Sequence, residues 1–136
     1  MKRFMVLALA VALTVTALPV RAHEGHEMAA EKKAVSQSIS GEVVDTGCYL
    51  GHAARGEKHI ECATKCINNG MPMGLLTSQG KLYLLMLNHD NADPYNKLKE
   101  MAGKNVTVTG MVMERAGMKG IDVTGVKPAA AAAASK

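Results

Sequence analysis

Three cysteines and two histidines lie close together in the chain and give it its clearest potential for chemistry. The cysteines are Cys48, Cys62 and Cys66, and both His52 and His59 lie between the first two of them. Thiolate and imidazole groups are ligands that zinc and other thiophilic transition metals prefer in proteins. This stretch therefore predicts a metal site, a disulfide or a redox-active pair of thiols.

The spacing of these residues indicates that several candidate ligands share one face of a helix. Intervals of three and four residues predict a helix between Gly56 and Asn69 whose single face carries His59, Cys62, Ala63, Cys66 and Ile67. We expect Cys48 to approach this face from the end of the first strand. Three thiolates and one imidazole then match the tetrahedral coordination of a structural zinc site. His52 is the alternative fourth ligand.

A second set of candidate metal ligands lies near the amino terminus. His23 and His26 belong to a segment that would begin the mature chain if a signal peptide ends at Ala22. A free α-amine together with two imidazoles is a donor set that suits Cu(II). The alternative is a solvated tail whose histidines are incidental.

Methionines are numerous, and two closely spaced pairs deserve comparison: Met71 with Met73, and Met111 with Met113. Thioethers favour Cu(I), so either pair is a candidate ligand set. Methionine also fills irregular gaps in a core, and the chain has very few aromatic residues to do so. We therefore expect these methionines to be core residues.

The first 22 residues have the three parts of a secretory signal peptide. Lys2 and Arg3 form a positive region, an apolar run from 4 to 18 follows, and Val20 and Ala22 supply small residues before the cleavage site. The apolar run is shorter than the roughly 20 residues that a membrane-spanning helix needs. We expect an exported, periplasmic protein without a membrane anchor after cleavage.

Loss of the signal peptide would leave a nearly neutral chain. Removing Lys2, Arg3 and Arg21 from 16 basic residues leaves 13 against 12 acidic residues, a net charge of +1. This balance gives no electrostatic case for binding nucleic acid or an anionic membrane. The three tyrosines are also too few for a base-stacking platform.

Export also provides a competing explanation of the cysteines. In an oxidising compartment Cys48 could form a disulfide with Cys62 or with Cys66, which would leave the third thiol free. Closing such a loop would stabilise the fold by roughly 3 kcal/mol. Cys62 and Cys66 are poor partners for each other, because side chains four residues apart on a helix project in parallel. A redox-active thiol pair is the third explanation.

The rest of the sequence predicts a small, mainly β domain with short helices from 38 to 127. A polar segment from 23 to 37 precedes it, and an alanine-rich tail from 128 to 136 follows it. The predicted order is strand, helix, hairpin, helix and hairpin, with a β-bulge at Gly110. Five strands in this layout predict an OB-like Greek-key barrel. An open α+β sheet is the alternative.

A resemblance to known domains agrees with this layout. The segment from Lys104 to Val112 resembles the fourth strand of small exported bacterial OB-like domains, and the layout from Gly41 to Val126 is similar to theirs. The resemblance implies a fold and implies no activity.

The sequence contains none of the common catalytic signatures, such as Gly-x-Ser-x-Gly, a phosphate-binding glycine loop or His-Glu-x-x-His. We therefore expect a periplasmic protein that is not an enzyme and that binds a transition metal ion, zinc or copper. Its role would be sequestration, or delivery involving an exported partner that donates or receives the metal. A disulfide-stabilised interaction module without metal and a thiol redox protein are the alternatives.

Overall fold

The computed structural model describes residues 36 to 129, which form five strands and a few short helices. The strands are β1 (Ser36–Asp45), β2 (Met73–Leu76), β3 (Leu82–Leu87), β4 (Asn105–Arg115) and β5 (Met118–Pro128). The α-helices are α1 (Thr46–His52), α2 (Ile60–Asn68) and α3 (Asp93–Lys99), and a single 3-10 turn (Glu57–His59) leads into α2. No helix in this part of the chain is long and apolar enough to cross a membrane.

Several predicted segments lie outside the described residues. They are the signal peptide from 1 to 22, the polar segment up to residue 35 and the alanine-rich tail from 130 onward. Strand β1 begins at Ser36, so the last two residues of the predicted polar segment, 36 and 37, belong to the barrel.

The five strands close into a barrel in the order β1, β2, β3, β5, β4, with β4 returning to β1. Closure depends on the length of β1, whose residues 36 to 42 pair with β4 while residues 42 to 45 pair with β2. All neighbouring strands are antiparallel except β3 and β5, which are parallel. The OB-like barrel predicted from the sequence is therefore confirmed, and the open sheet is excluded.

Alternation along the strands places branched apolar residues inside the barrel. The fully buried strand residues include Val43, Leu75, Val106, Val108, Ile121 and Val123. Each such side chain stabilises the fold by about 1.5–3 kcal/mol relative to an exposed one. Helix α2 contributes Ala63 and Ile67 to the same core, so the packing of the barrel fixes the position of this helix.

The pairing of β4 with β5 shifts register at the predicted position, between Thr109 and Gly110, but the extra residue is Thr124. The bulge therefore lies in β5, opposite Gly110, and its prediction in β4 was wrong. A side chain at Gly110 would overlap the backbone oxygen of Asp122, so glycine allows the two strands to approach closely at this point. Beyond the bulge, β4 and β5 continue to a two-residue turn at Ala116 and Gly117. Both residues have positive φ, as a type I′ hairpin turn requires.

Candidate metal centre

The three cysteine side chains meet at one place on the surface of the barrel. Cys48 lies in the first turn of α1, and Cys62 and Cys66 lie one turn apart on α2. Their three sulfur atoms are all within 4.8 Å of one another. Cys62 is exposed while the other two are half-buried, so the cluster is open to solvent on one side. A group of thiols this compact could hold a metal ion.

The position of Cys48 differs from the sequence-based expectation. The sequence predicts it at the end of the first strand, but the chain turns into helix α1 directly after Asp45. Asp45 is the N-cap of that helix, and its Oδ1 accepts a hydrogen bond of 2.8 Å from the Cys48 backbone N–H. An aspartate at this position satisfies one of the free N–H groups of the first turn, so Asp45 fixes the backbone that carries the first thiol.

Helix α2 presents the other two thiols as the periodicity predicted. Ala63 and Ile67 face the core and are buried. Cys62 and Cys66 lie at the edge of this buried face. The packing that holds α2 against the barrel therefore also sets the position of both sulfur atoms.

The structure contains no disulfide among these residues. Cys48, Cys62 and Cys66 are all free thiols, and their sulfur atoms are not at bonding distance. Neither bridge of the competing explanation, from Cys48 to Cys62 or from Cys48 to Cys66, is formed.

The environment of the cluster opposes ionisation of two of its thiols, Cys48 and Cys66, when no cation is present. Burial, followed by the negative charge of Asp45 and by the two neighbouring thiols, raises the pKa of Cys48 to about 11. Burial, followed by the neighbouring Cys62, also raises the pKa of Cys66. Both groups are therefore protonated at neutral pH in the metal-free protein, and a bound cation would favour their thiolate forms.

Asp45 is a buried acidic residue beside these thiols that is not among the site residues predicted from the sequence. It is only 1% exposed, and its Oδ2 has no hydrogen-bond partner among residues 36 to 129. The one ion pair in this part of the chain joins Lys119 to Glu114, so no cationic side chain there compensates Asp45. Its signal in the sequence was the pattern of a helix N-cap, Asp-Thr-Gly-Cys.

Neither candidate histidine belongs to the compact group of thiols in the described part of the chain. His59 occupies the N-cap position of α2, and its Nε2 is buried without a hydrogen-bond partner among the described residues. His52 is exposed in the last turn of α1. The assignment of either one as the fourth ligand stays a prediction. His23 and His26 lie outside the described residues.

The methionines divide between the core and the surface. Met73 is fully buried, as expected of a core residue, while Met71 is 40% exposed. Met111 and Met113 are also exposed, so the expectation of a core role was wrong for this pair. The reason is strand alternation. Val106 and Val108 of β4 point into the barrel, so the odd-numbered residues Met111 and Met113 of the same strand point outward.

Comparison of the chain with models of protein families, with curated proteins and with solved structures found no match. We therefore infer function from the geometry and charge of the cysteine cluster.

Proposed function

We propose that this protein binds a soft or borderline transition-metal ion through the thiolates of Cys48, Cys62 and Cys66. The observation that carries the proposal is the separation of the three sulfur atoms, which all lie within 4.8 Å of one another. Sulfur atoms bound to one zinc ion at about 2.3 Å in a tetrahedron are about 3.8 Å apart. Small rotations of the cysteine side chains would be enough to reach that separation.

The charges around the cluster also favour a cation. Ionising Cys48 and Cys66 brings negative charges together beside Asp45, and this repulsion contributes to the raised pKa values of both thiols. A buried acidic group without a cationic partner is unfavourable, and Asp45 has none among residues 36 to 129. A metal ion at the three sulfurs would offset both unfavourable interactions.

The same observations argue against the two alternative functions. Redox-active and nucleophilic thiols have lowered pKa values, whereas the pKa values of Cys48 and Cys66 are raised. A disulfide-stabilised module requires one of the cysteine pairs to be bonded, and all three thiols are free.

The proposed role is sequestration or delivery of the metal in the periplasm. The signal-peptide pattern of the first 22 residues supports export. The exposure of Cys62 leaves one side of the cluster accessible, and this access would allow an exported partner to donate or receive the ion by exchange of ligands. The bound ion would be zinc or copper.

The test combines metal analysis with thiol counting on the mature chain purified from the periplasm. We expect one metal ion per chain and three thiols that react with a thiol reagent only after a chelator is added, because ligation requires and protects thiolates. Cys62→Ser should lose the metal. His89→Ala should retain it, because His89 is exposed and does not belong to the cysteine cluster. One disulfide and a single free thiol, unchanged by the chelator, would contradict the proposal.

A further inference from the structure

The side chain of Met71 lies against the backbone of the residue that precedes Cys48. That residue is Gly47, and a Cβ added to it would overlap the terminal Cε of Met71. The same Cβ would lie 3.2 Å from Oδ1 of Asp45, the atom that caps the Cys48 N–H. The absence of a side chain at Gly47 therefore leaves space for the end of Met71 beside the first turn of α1.

The backbone at Met71 and Pro72 is hydrogen-bonded to both helices that carry the cysteines. The Met71 N–H donates a hydrogen bond of 3.0 Å to the carbonyl oxygen of Cys66. The carbonyl oxygen of Pro72 accepts two hydrogen bonds from Thr46, one from its backbone N–H and one from its hydroxyl, each 3.0 Å long. Met71 thus starts beside Cys66 and extends to Gly47, so it lies between the two cysteine-bearing helices.

Core packing does not explain this methionine. Met73, two residues later, is fully buried in the barrel, whereas Met71 remains 40% exposed. A methionine has three rotatable side-chain bonds, so its sulfur can turn toward a bound ion without a change in the backbone.

We propose that the thioether of Met71 is the fourth ligand of the cysteine cluster and that the site consequently takes Cu(I) in preference to Zn(II). This inference rests on the proposed function. Three thiolates and a thioether are a wholly soft donor set, which suits Cu(I). Zinc in proteins is bound by thiolate, imidazole and carboxylate groups, so a thioether adds little to zinc affinity.

The first experiment compares Met71→Leu with Met73→Leu in the mature chain. Both changes remove a thioether and keep an apolar side chain of similar volume. Cu(I) affinity is measured by competition with a chromophoric Cu(I) chelator, and Zn(II) affinity by competition with a zinc chelator. We expect Met71→Leu to weaken Cu(I) binding by at least about tenfold and to leave Zn(II) binding unchanged, while Met73→Leu changes neither.

The second experiment detects the ligand directly. In protein labelled with selenomethionine and loaded with Cu(I), X-ray absorption at the selenium edge should show a copper neighbour, and Met71→Leu should remove that signal. A signal that persists in Met71→Leu would overturn the inference.

The Cys62→Ser variant separates failure of the inference from failure of the proposed function. If Cys62→Ser abolishes Cu(I) and Zn(II) binding while Met71→Leu leaves Cu(I) affinity unchanged, the cluster binds metal and Met71 is not its ligand. If Cys62→Ser retains full affinity for both ions, the proposed function itself is wrong, and Met71 has no cluster to complete.

Discussion

The segment between β1 and β2 and the hairpin of β4 and β5 are built in opposite ways. The segment, residues 46 to 72, contains only short helices, turns with positive φ at Ala53 and Gly56, and a buried histidine nitrogen without a partner in the described part of the chain. The hairpin has two strands of 11 residues whose pairing is interrupted by a single bulge. All three free thiols of the chain lie in the irregular segment.

The polar groups on the outside of the barrel and those beside the thiols differ in the same way. On the outside of the barrel, the hydroxyl groups of Ser38 and Thr109 are 2.9 Å apart and those of Ser40 and Thr107 are 2.8 Å apart, across β1 and β4. Near the thiols, Oδ2 of Asp45 has no partner within residues 36 to 129. Satisfied polar groups stabilise a fold, and unsatisfied ones are often found at sites that bind something. The barrel therefore supplies stability, while the segment supplies the site.

The largest effect that this comparison predicts comes from the barrel. Leu75→Ala should lower the free energy of unfolding of the metal-free protein by about 3 kcal/mol, because Leu75 is fully buried and its truncation leaves a cavity. Urea denaturation measures the change. Cys62→Ser should change the same quantity by less than about 0.5 kcal/mol, since Cys62 is exposed. Equal losses for the two variants would show that the segment and the barrel are not separable.

The next effect concerns pH and the ionisation of the cluster. Because the pKa of Cys48 is about 11 and that of Cys66 is also raised, both thiols are protonated near pH 7 and each releases a proton when it binds metal. Metal affinity should therefore rise with pH by about 100-fold per pH unit from these two groups. The rise should weaken as the pH approaches the raised pKa values.

Competition titrations between pH 6 and 9, corrected for protonation of the competing chelator, measure this slope. Cys48→Ser removes one thiol that releases a proton on binding, so the slope of log affinity against pH should decrease by about one. A slope that is the same in Cys48→Ser and in the unchanged chain would exclude Cys48 as a ligand.

Sequence patterns predicted those features that depend on local periodicity. The shared face of Cys62 and Cys66 and the hairpin of β2 and β3 are set by intervals of two to four residues, and both are confirmed. The glycine at position 110 marked the place of the register shift but not the strand that carries the extra residue. Five strands around a helix also indicated the barrel. The barrel closes through pairing of strands that are distant in the sequence, β1 with β4 and β3 with β5. Only the order of the elements and the resemblance to OB-like domains could suggest these pairings.

The features that the sequence did not predict have no periodic signal. Helix α1 has only seven residues, two of them glycines, and buries none of its side chains, so no apolar face marks it. Its N-cap, Asp45, was its one local sign. His59 precedes α2 at the N-cap position, where the helical spacing no longer governs the direction of its side chain. For that reason the spacing could predict two thiols on one face but not the fourth ligand.

A smaller effect links the metal to stability. With free metal at about ten times its dissociation constant, binding should stabilise the folded protein by about 1.4 kcal/mol. This gain should raise the melting temperature of the unchanged chain and of Leu75→Ala alike, since the barrel substitution leaves the cluster intact. Scanning calorimetry with and without metal tests the expectation, and a stabilisation that survives in Cys62→Ser would place the metal elsewhere.

The smallest effect distinguishes the two histidines within the segment. Replacing exposed His52 by alanine should change the stability of the metal-free protein by only a few tenths of a kcal/mol. His59→Ala should also have a small effect, because the change removes a buried nitrogen that already lacks a partner among the described residues. The same two variants also test the fourth ligand. If one imidazole completes a zinc site, only the variant that lacks that imidazole should lose Zn(II) affinity. Zn(II) and Cu(I) titrations of both variants, side by side with Met71→Leu, test this. A fall in Cu(I) affinity for His59→Ala as large as that for Met71→Leu would mean that an imidazole, rather than the thioether alone, stabilises copper at the cluster.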